Sequence, residues 1–346
     1  MSLIVIIVMK RRIINRGILV FLFVCSLGAV DVFAQAQDRE EKREEKTAEL
    51  QKLQRSPYAP TFASSAGLFF GYDTNVNLST TKKGDAFQQF LFSSGFTKPW
   101  IKGTRFTFNY DLGVINYNEI TDASNVLNHF RLGVHQKLSS FVAGTGYDLG
   151  VLYYPNDKDG DFLFHKGFFY VRQNISRKLY HQLLVEAGIK DYSQQKAMAD
   201  TITTFQNKER LDRRQSAEWS VGYSLTPKLL LKFLTRFSVN DSNARYVDFY
   251  DYKSYEFSPR VNYRLSKKTE LFSGFGYLRK NYKTRVVTLT NYKEKDNTYS
   301  ANAGLRYAGD KNNILTLLYS YRNNSSNDSI QEYSENVISC GWQHNF

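Results

Sequence analysis

The 346-residue chain has few cysteines, few prolines and no long apolar segment beyond its first 34 residues. It contains two Cys and six Pro, and its mean hydropathy is −0.45. A polytopic helical membrane protein is excluded, because past residue 34 no apolar run approaches the ~20 residues that a spanning helix needs. A disordered chain is excluded as well, since 42% of the residues are apolar and 15% are aromatic. A polar mean hydropathy combined with 24 Tyr and 26 Phe is typical of β-strands whose residues alternate between an apolar face and a face in contact with water.

Residues 1–34 have the composition of a secretory signal peptide. A basic cluster at 10–16 precedes an apolar run, and small or apolar residues before Gln35 suit a signal peptidase. A membrane-anchoring helix is the alternative, but the apolar part is short and no stop-transfer charges follow it at once. Removal of this segment would take away Cys25 and leave Cys340 as the remaining thiol, so no intramolecular disulfide could form.

Residues 35–63 are predicted to be a charged periplasmic helix or linker. Within them, 38–54 consists of good helix formers with acids and bases three or four positions apart, which favours a solvated helix. Its few apolar residues cannot build a core, and a coiled coil would need three or four heptads.

From residue 64 to residue 346 the apolar residues recur at every second position. The pattern divides into about fourteen segments, and an even number is typical of single-chain bacterial barrels. The predicted strands are 65–77, 86–98, 103–118, 125–138, 140–154, 161–175, 179–193, 211–224, 228–240, 251–264, 269–283, 295–308, 312–323 and 332–346. Short connections rich in turn residues alternate with long polar ones such as 194–210, which places all short turns at one rim.

This pattern predicts an all-β membrane protein: an antiparallel transmembrane β-barrel of about fourteen strands with short periplasmic turns, in the outer membrane of a Gram-negative-type bacterium. A soluble β-sandwich is the alternative. Its apolar faces should consist of Val, Ile and Leu packed to core density, whereas here they mix Phe, Tyr, Ala and Thr opposite Gly and charged residues.

The last strand resembles the C-terminal assembly signal of bacterial outer-membrane barrels. Its apolar alternation ends in an aromatic residue, and the matching positions are Trp342, His344 and Phe346. The resemblance implies that the barrel-assembly machinery reads these residues, and that outer-membrane lipids surround the barrel.

The first strand resembles barrels of the surface lipoprotein assembly modifier type. The stretch Gly-Tyr-Asp-Thr-Asn-Val-Asn at 71–77 is similar to the opening of those barrels, which also have fourteen strands. The resemblance implies an export role with a secreted protein as partner. Those proteins carry a helical-repeat domain ahead of the barrel, and only the charged segment 38–54 stands in that place here.

A set of charged residues is predicted to line the lumen, because each alternates with apolar neighbours. The candidates are Asp73, Asp111, Asp148, Glu186, Glu218, Lys232, Arg236, Arg260, Arg264, Arg306 and Arg322. One interpretation is that acids and bases pair, and solvate or fill the interior. The other is a transverse field, since the acids lie mostly in the first eight strands and the bases mostly in the last six, which would favour anions at a basic wall.

No catalytic, metal or cofactor motif stands out, so we expect no enzyme, no bound metal and no cofactor. His129 and His135 share a face, but six positions along a strand separate them by about 20 Å, too far to hold one ion. A Ser–His pair assembled across strands, as in barrel lipases, stays open. Nucleic acid is excluded as a partner, because the basic residues are spread through the strands of an exported chain. We expect a channel or transporter for small solutes, with a structural or export barrel that engages a protein partner as the alternative.

Overall fold

The structure, a computed structural model, describes residues 59–201, 203–287 and 291–346. The predicted signal peptide and the predicted helix at 38–54 lie outside the described residues. Among the described residues, no helix is long and apolar enough to span a bilayer.

The described residues form one closed antiparallel sheet of fourteen strands, in which β1 pairs with β14 and every other strand pairs with its neighbours in sequence. The strands are β1 (Thr61–Asp73), β2 (Asp85–Pro99), β3 (Thr104–Tyr117), β4 (Asn125–Leu138), β5 (Phe141–Tyr153), β6 (Phe162–Asn174), β7 (Leu179–Met198), β8 (Phe205–Thr226), β9 (Leu229–Ser242), β10 (Tyr252–Arg264), β11 (Thr269–Val286), β12 (Lys293–Ala308), β13 (Asn313–Ser326) and β14 (Tyr333–Asn345). Closure leaves no free sheet edge, as a structure surrounded by lipid requires. The predicted fold class is confirmed.

The two faces of the sheet differ in chemistry. In β1, Leu68, Phe70 and Tyr72 are about half exposed on the outer face, whereas Gly67 and Asp73 point inward and are buried. Aromatic rings pack against each other across neighbouring strands of the outer face. Examples are Tyr110 with Phe130, at 4.8 Å between centroids, and Phe237 with Tyr255, at 5.2 Å. The apolar outer face and the polar inner face are those of a barrel embedded in a membrane.

The two rims of the barrel also differ. One rim carries six short turns, which are 100–103, 139–140, 175–178, 227–228, 265–268 and 309–312. In the first of them Gly103 has φ +80°, a conformation that favours glycine. The opposite rim carries the longer loops, four of which contain a 3-10 turn. We call these the turn-side and loop-side rims.

The hydrophobic clusters of the described chain lie at the loop-side rim. Val76, from the loop after β1, is completely buried against Phe87, Tyr117 and Ala123. A second cluster joins Met198 at the end of β7 to Ala244 and Tyr250 in the loop before β10. These two loops therefore fold against the inner wall and narrow the loop-side mouth.

Some strand boundaries differ from the predicted ones. β1 begins at Thr61, inside the segment predicted as linker, and it ends at Asp73 rather than at residue 77. It ends there because the Asp73 carboxylate accepts the N–H of Asn75 at 2.8 Å, and the Asn75 amide donates to the Ser79 and Ser334 carbonyls. The predicted loop 194–210 is largely strand.

Candidate functional site: the inner wall of the barrel

The strand register places all eleven candidate residues on the inner face. Each lies on the face opposite to the exposed aromatic and aliphatic side chains of its strand. They do not all meet, because they lie at different heights along the barrel. We distinguish a middle belt, a ring near the turn-side rim and a mouth near the loop-side rim.

The middle belt is centred on Asp148 in β5, whose side chain is completely buried. Arg131 in β4 binds it with two hydrogen bonds, from Nε at 2.6 Å and from Nη2 at 3.0 Å. Lys166 in β6 lies between two carboxylates, with Nζ 3.0 Å from Asp148 and 2.5 Å from Glu186 in β7. Charge-assisted bonds of this length are among the stronger ones in proteins, so these four side chains are fixed against the wall.

The belt continues toward β2 through a histidine. The His129 ring in β4 lies between two carboxylates, with Nδ1 3.7 Å from Asp111 and Nε2 3.9 Å from Asp148. Asp111 in β3 also accepts a 2.6 Å hydrogen bond from the Ser93 hydroxyl in β2. Direct cross-strand pairing brings these groups together, because Asp111 faces both Ser93 and His129 in the register.

The belt continues in the other direction through Arg236 in β9. Its guanidinium binds the Glu218 carboxylate of β8, with Nε at 3.0 Å, and lies 3.8 Å from Glu256 in β10. Ser216, two positions from Glu218, donates a hydrogen bond to the Glu186 carboxylate at 3.0 Å. This bond links the strands that carry Glu218 and Arg236 to the Lys166–Glu186 pair. The middle belt therefore runs over eight adjacent strands, β3 to β10.

Acids and bases alternate along the middle belt, except that two acids, Glu186 and Glu218, follow each other on β7 and β8. Its members are the carboxylates Asp111, Asp148, Glu186, Glu218 and Glu256, the cations Arg131, Lys166 and Arg236, and the imidazole of His129. Carboxylates outnumber cations, and each cation contacts one or more carboxylates of a neighbouring strand. At this height, therefore, acids and bases are paired, and the wall is not divided into an acidic and a basic side.

The remaining arc of the wall, from β11 through β14 to β2, is lined at this height by short neutral side chains. They include Gly274, Gly276, Ser300, Asn302, Ser320, Ser339 and Gly341. The ring of Phe69 in β1 lies across Gly341 and also contacts Gly67, and a Cβ at Gly341 would overlap that ring. We call this part of the wall the neutral arc.

The turn-side ring is strongly basic. Its inward-facing members lie within a few residues of a short turn, and they are Arg105, Lys137, Arg172, Lys232, Arg260, Arg264, Arg306 and the single carboxylate Glu270. Arg306 lies 3.5 Å from Glu270, and Lys232 faces Arg260 directly in the β9–β10 register. Of the bases predicted to form one wall, only Arg236 and Arg322 lie elsewhere.

Arg322 and Asp73 lie at the loop-side mouth, and both are buried. Arg322 Nη1 is 3.8 Å from the Glu335 carboxylate of β14, and the Tyr117 hydroxyl donates to Asp73 at 3.3 Å. The mouth therefore combines paired charges with the apolar cluster around Val76.

One carboxyl group of the loop-side rim has a shifted pKa. Asp161 lies in the connection before β6, and burial raises its pKa to about 6, although the Tyr154 N–H that donates to it at 2.6 Å acts in the opposite direction. Its second oxygen, Oδ2, has no hydrogen-bond partner among the described residues.

The three residues predicted as an assembly signal lie together on the outer face, next to the turn-side rim. The rings of Trp342 and His344 are 5.9 Å apart and those of His344 and Phe346 are 4.9 Å apart. Asn313 of β13 accepts a hydrogen bond from Trp342 Nε1 at 3.0 Å and lies 3.0 Å from His344 Nδ1.

Several inner-wall residues were missed in the sequence. Lys166, Glu270 and Glu335 contact candidate residues, but none of them was among the candidates. Lys166 lies between Phe164 and Phe168 on the same face, so aromatic residues on the inner wall obscured the alternation there. Counting positions outward from the centre of the strand would have identified it.

Comparison with known proteins gives structural neighbours and no sequence relatives: neither a family model nor a curated protein matches the chain. An outer-membrane expressed OmpT of Vibrio cholerae is 12% identical, with 85% of this chain and 99% of that chain covered and a TM-score of 0.49. An anion-selective porin from Comamonas acidovorans is 9% identical, with coverage of 83% and 99% and a TM-score of 0.48. A TodX monoaromatic hydrocarbon channel mutant is 9% identical, with coverage of 84% and 91% and a TM-score of 0.45. The closed sheet and apolar outer face of this chain are those of an outer-membrane β-barrel with fourteen strands.

Proposed function

We propose that the protein is a channel for small solutes across the outer membrane. The observation that carries the proposal is the partial solvent exposure of charged side chains halfway along the interior. Arg131 and Arg236 retain 29% and 26% exposure there, although both are bound to carboxylates. Water that reaches these groups from inside the barrel supports a hydrated path, and barrels of this size fall between filled eight-stranded barrels and wide porins.

The charges along this path favour anions on the turn side. In the middle belt five carboxylates face three cations and one imidazole, so the belt itself does not attract anions, and the proposed preference depends on the turn-side ring. The turn-side ring has seven cationic side chains and one carboxylate, and like charges lining a narrow passage raise the local concentration of counter-ions. The proposed path therefore passes anions better than cations. Neither a catalytic step nor a cofactor enters this proposal, and its partners are small solutes and the surrounding lipids.

Conductance of the purified protein in a planar bilayer tests the proposal. We expect stable single-channel steps and, in a salt gradient, a reversal potential on the anion-selective side. The double variant Lys232→Ser and Arg260→Ser should shift that potential toward zero, because it removes two neighbouring cations of the turn-side ring. Lys253→Ser is the matched control, since Lys253 lies on the outer face of the same strand, β10.

Three results would contradict parts of the proposal. Cation preference, or a reversal potential indifferent to the double variant, would rule out selectivity by the turn-side ring. A correctly folded protein that never conducts would rule out the channel and favour the export alternative.

A further inference from the structure

A cluster of cations and aromatic rings lies near the loop-side mouth, above the middle belt and between β6 and β11. Its cationic members are Lys190, Arg210, Arg214 and Lys280, and its rings are Phe162, Tyr192, Tyr250, Tyr252 and Tyr282. We call it the cation–aromatic cluster. Neither the middle belt nor the turn-side ring shares a residue with it.

Three of the four cations lie over aromatic faces. Lys190 Nζ is 3.7 Å from the centroid of Phe162 and 4.4 Å from that of Tyr192. Arg210 Cζ is 3.4 Å from the centroid of Tyr250. Lys280 Nζ is 5.2 Å from the Tyr252 centroid. Ring faces stabilise a cation, but they cannot accept the strong hydrogen bonds that an ammonium group donates.

The cluster has fewer carboxylates than cations. Asp296 faces Lys280 in the β11–β12 register and accepts a hydrogen bond from the Tyr282 hydroxyl at 3.3 Å. Arg210 binds Asp212 with Nε at 2.9 Å, and this is the one carboxylate that forms an ion pair with it among the described residues. Within the same ranges no carboxylate forms an ion pair with Lys190, Arg214 or Lys280. The Lys190 ammonium is fully enclosed and has no hydrogen-bond partner there. A buried ammonium without hydrogen bonds is unfavourable, so this site gains from an anion.

The cations are also close enough to repel each other. Arg210, Arg214 and Lys280 all oppose the positive charge of Lys190, and Asp212 only partly offsets them. An added anion would relieve this repulsion while it accepts hydrogen bonds from Lys190 and Arg214. The flexible side chain of Lys190 can turn its ammonium from the Phe162 ring toward the lumen.

We propose that the cation–aromatic cluster is a binding site for solutes that carry a carboxylate on an aromatic ring. The carboxylate binds Lys190 and Arg214, and the ligand ring packs against Phe162 and Tyr252, which are the partly exposed rings at the edge of the buried tyrosines. Five rings enclosing an excess of positive charge fit such a ligand better than a small hydrated anion. The inference rests on the proposed channel function, for which it names the substrate class.

Calorimetric titration of the detergent-solubilised, folded barrel with benzoate tests this inference without requiring conduction. Acetate supplies the carboxylate without the ring, and benzyl alcohol supplies the ring without the charge. We expect benzoate to bind at least about tenfold more tightly than either probe, since each lacks one of the two recognised features. Lys190→Met should weaken benzoate binding by about tenfold or more, whereas Lys253→Met, on the outer face, should not change it. Heat-modifiable migration of both variants shows that they have folded.

The outcomes separate this inference from the channel proposal. Equal benzoate affinity of the wild type and Lys190→Met would overturn the site. Acetate binding as tight as benzoate binding would remove the aromatic ring from the substrate class and so overturn the inference as stated. A protein that conducts but does not bind benzoate would support the channel proposal and contradict the binding site. A protein that binds benzoate but does not conduct would support the binding site and contradict the channel proposal.

Discussion

Halfway along the barrel, the inner wall from β3 to β10 is charged, and the wall from β11 around to β2 is neutral. In the middle belt each cation is bound to carboxylates of neighbouring strands, as in the contacts of Asp148 with Arg131 and Lys166. In the neutral arc the facing side chains are short, as at Gly276, Ser300 and Ser320. The belt is held in place by ionic contacts, whereas the neutral arc is formed by short neutral side chains and by the ring of Phe69, which packs over Gly67 and Gly341.

Asp148→Asn should have the largest effect, because it breaks the centre of the middle belt. In the variant, Arg131 and Lys166 each lose a carboxylate that they contact in the wild type. Removing one partner of a buried ion pair costs about 3–5 kcal/mol. Denaturant unfolding in lipid vesicles should show a loss of this size in the free energy of unfolding. A loss below about 1 kcal/mol would mean that the belt does not stabilise the barrel.

Leu149→Arg places a charge on the opposite face of the same strand, next to Asp148. The outer face contacts lipid, so this change should cost about 2–4 kcal/mol near the bilayer midplane. The same unfolding measurement checks it, with Leu149→Met as a control that retains an apolar side chain of similar volume. A neutral effect of the arginine would contradict the assignment of this face to lipid.

Two serine substitutions compare the belt with the neutral arc directly. Ser216 donates to the Glu186 carboxylate at 3.0 Å, and Ser216→Ala should cost about 1–2 kcal/mol, since hydrogen bonds to charged groups exceed neutral ones. Ser320 faces the lumen from β13, and Ser320→Ala should change the free energy of unfolding by less than about 0.5 kcal/mol. An equal loss of unfolding free energy at the two positions would contradict the expected difference between the middle belt and the neutral arc.

Asp161→Asn should have an effect of the opposite sign, and its size should depend on pH. Because the folded-state pKa of Asp161, about 6, exceeds its ordinary value of 3.8, the folded protein binds this proton more tightly than the unfolded chain. Wild-type stability should therefore fall as the pH rises from about 4 to 6 and stay level above that range. At pH 8 the asparagine variant should be more stable than the wild type by about 2–3 kcal/mol, because the pKa is raised by roughly two units, and the difference should vanish near pH 4. A pH-independent difference would contradict the raised pKa.

Much of the fold could be predicted because alternation is a local property of the chain. The predicted bounds of β4, 125–138, match the structure, and those of β10 and β12 differ from it by one or two residues. β1 was placed four residues too late, because the alternation continues past Asp73 while the Asp73 and Asn75 side chains turn the chain inward. β7 and β8 extend beyond their predicted ends because Lys196 and Glu209 face each other across a continuing hairpin, with a 2.5 Å ion pair.

The sequence by itself determined which face of each strand is apolar, how many strands there are and which charged residues point inward. Side chains in a strand alternate with a period of two, and this information lies within each segment. Only the tertiary structure decided that Asp148 binds Lys166, that Arg322 lies near Glu335 and that the bases separate along the barrel axis rather than across it. Those contacts depend on the register between strands and on the closure of β1 against β14, which join residues far apart in the chain. A one-residue shift of register would turn every one of these charges to the other face.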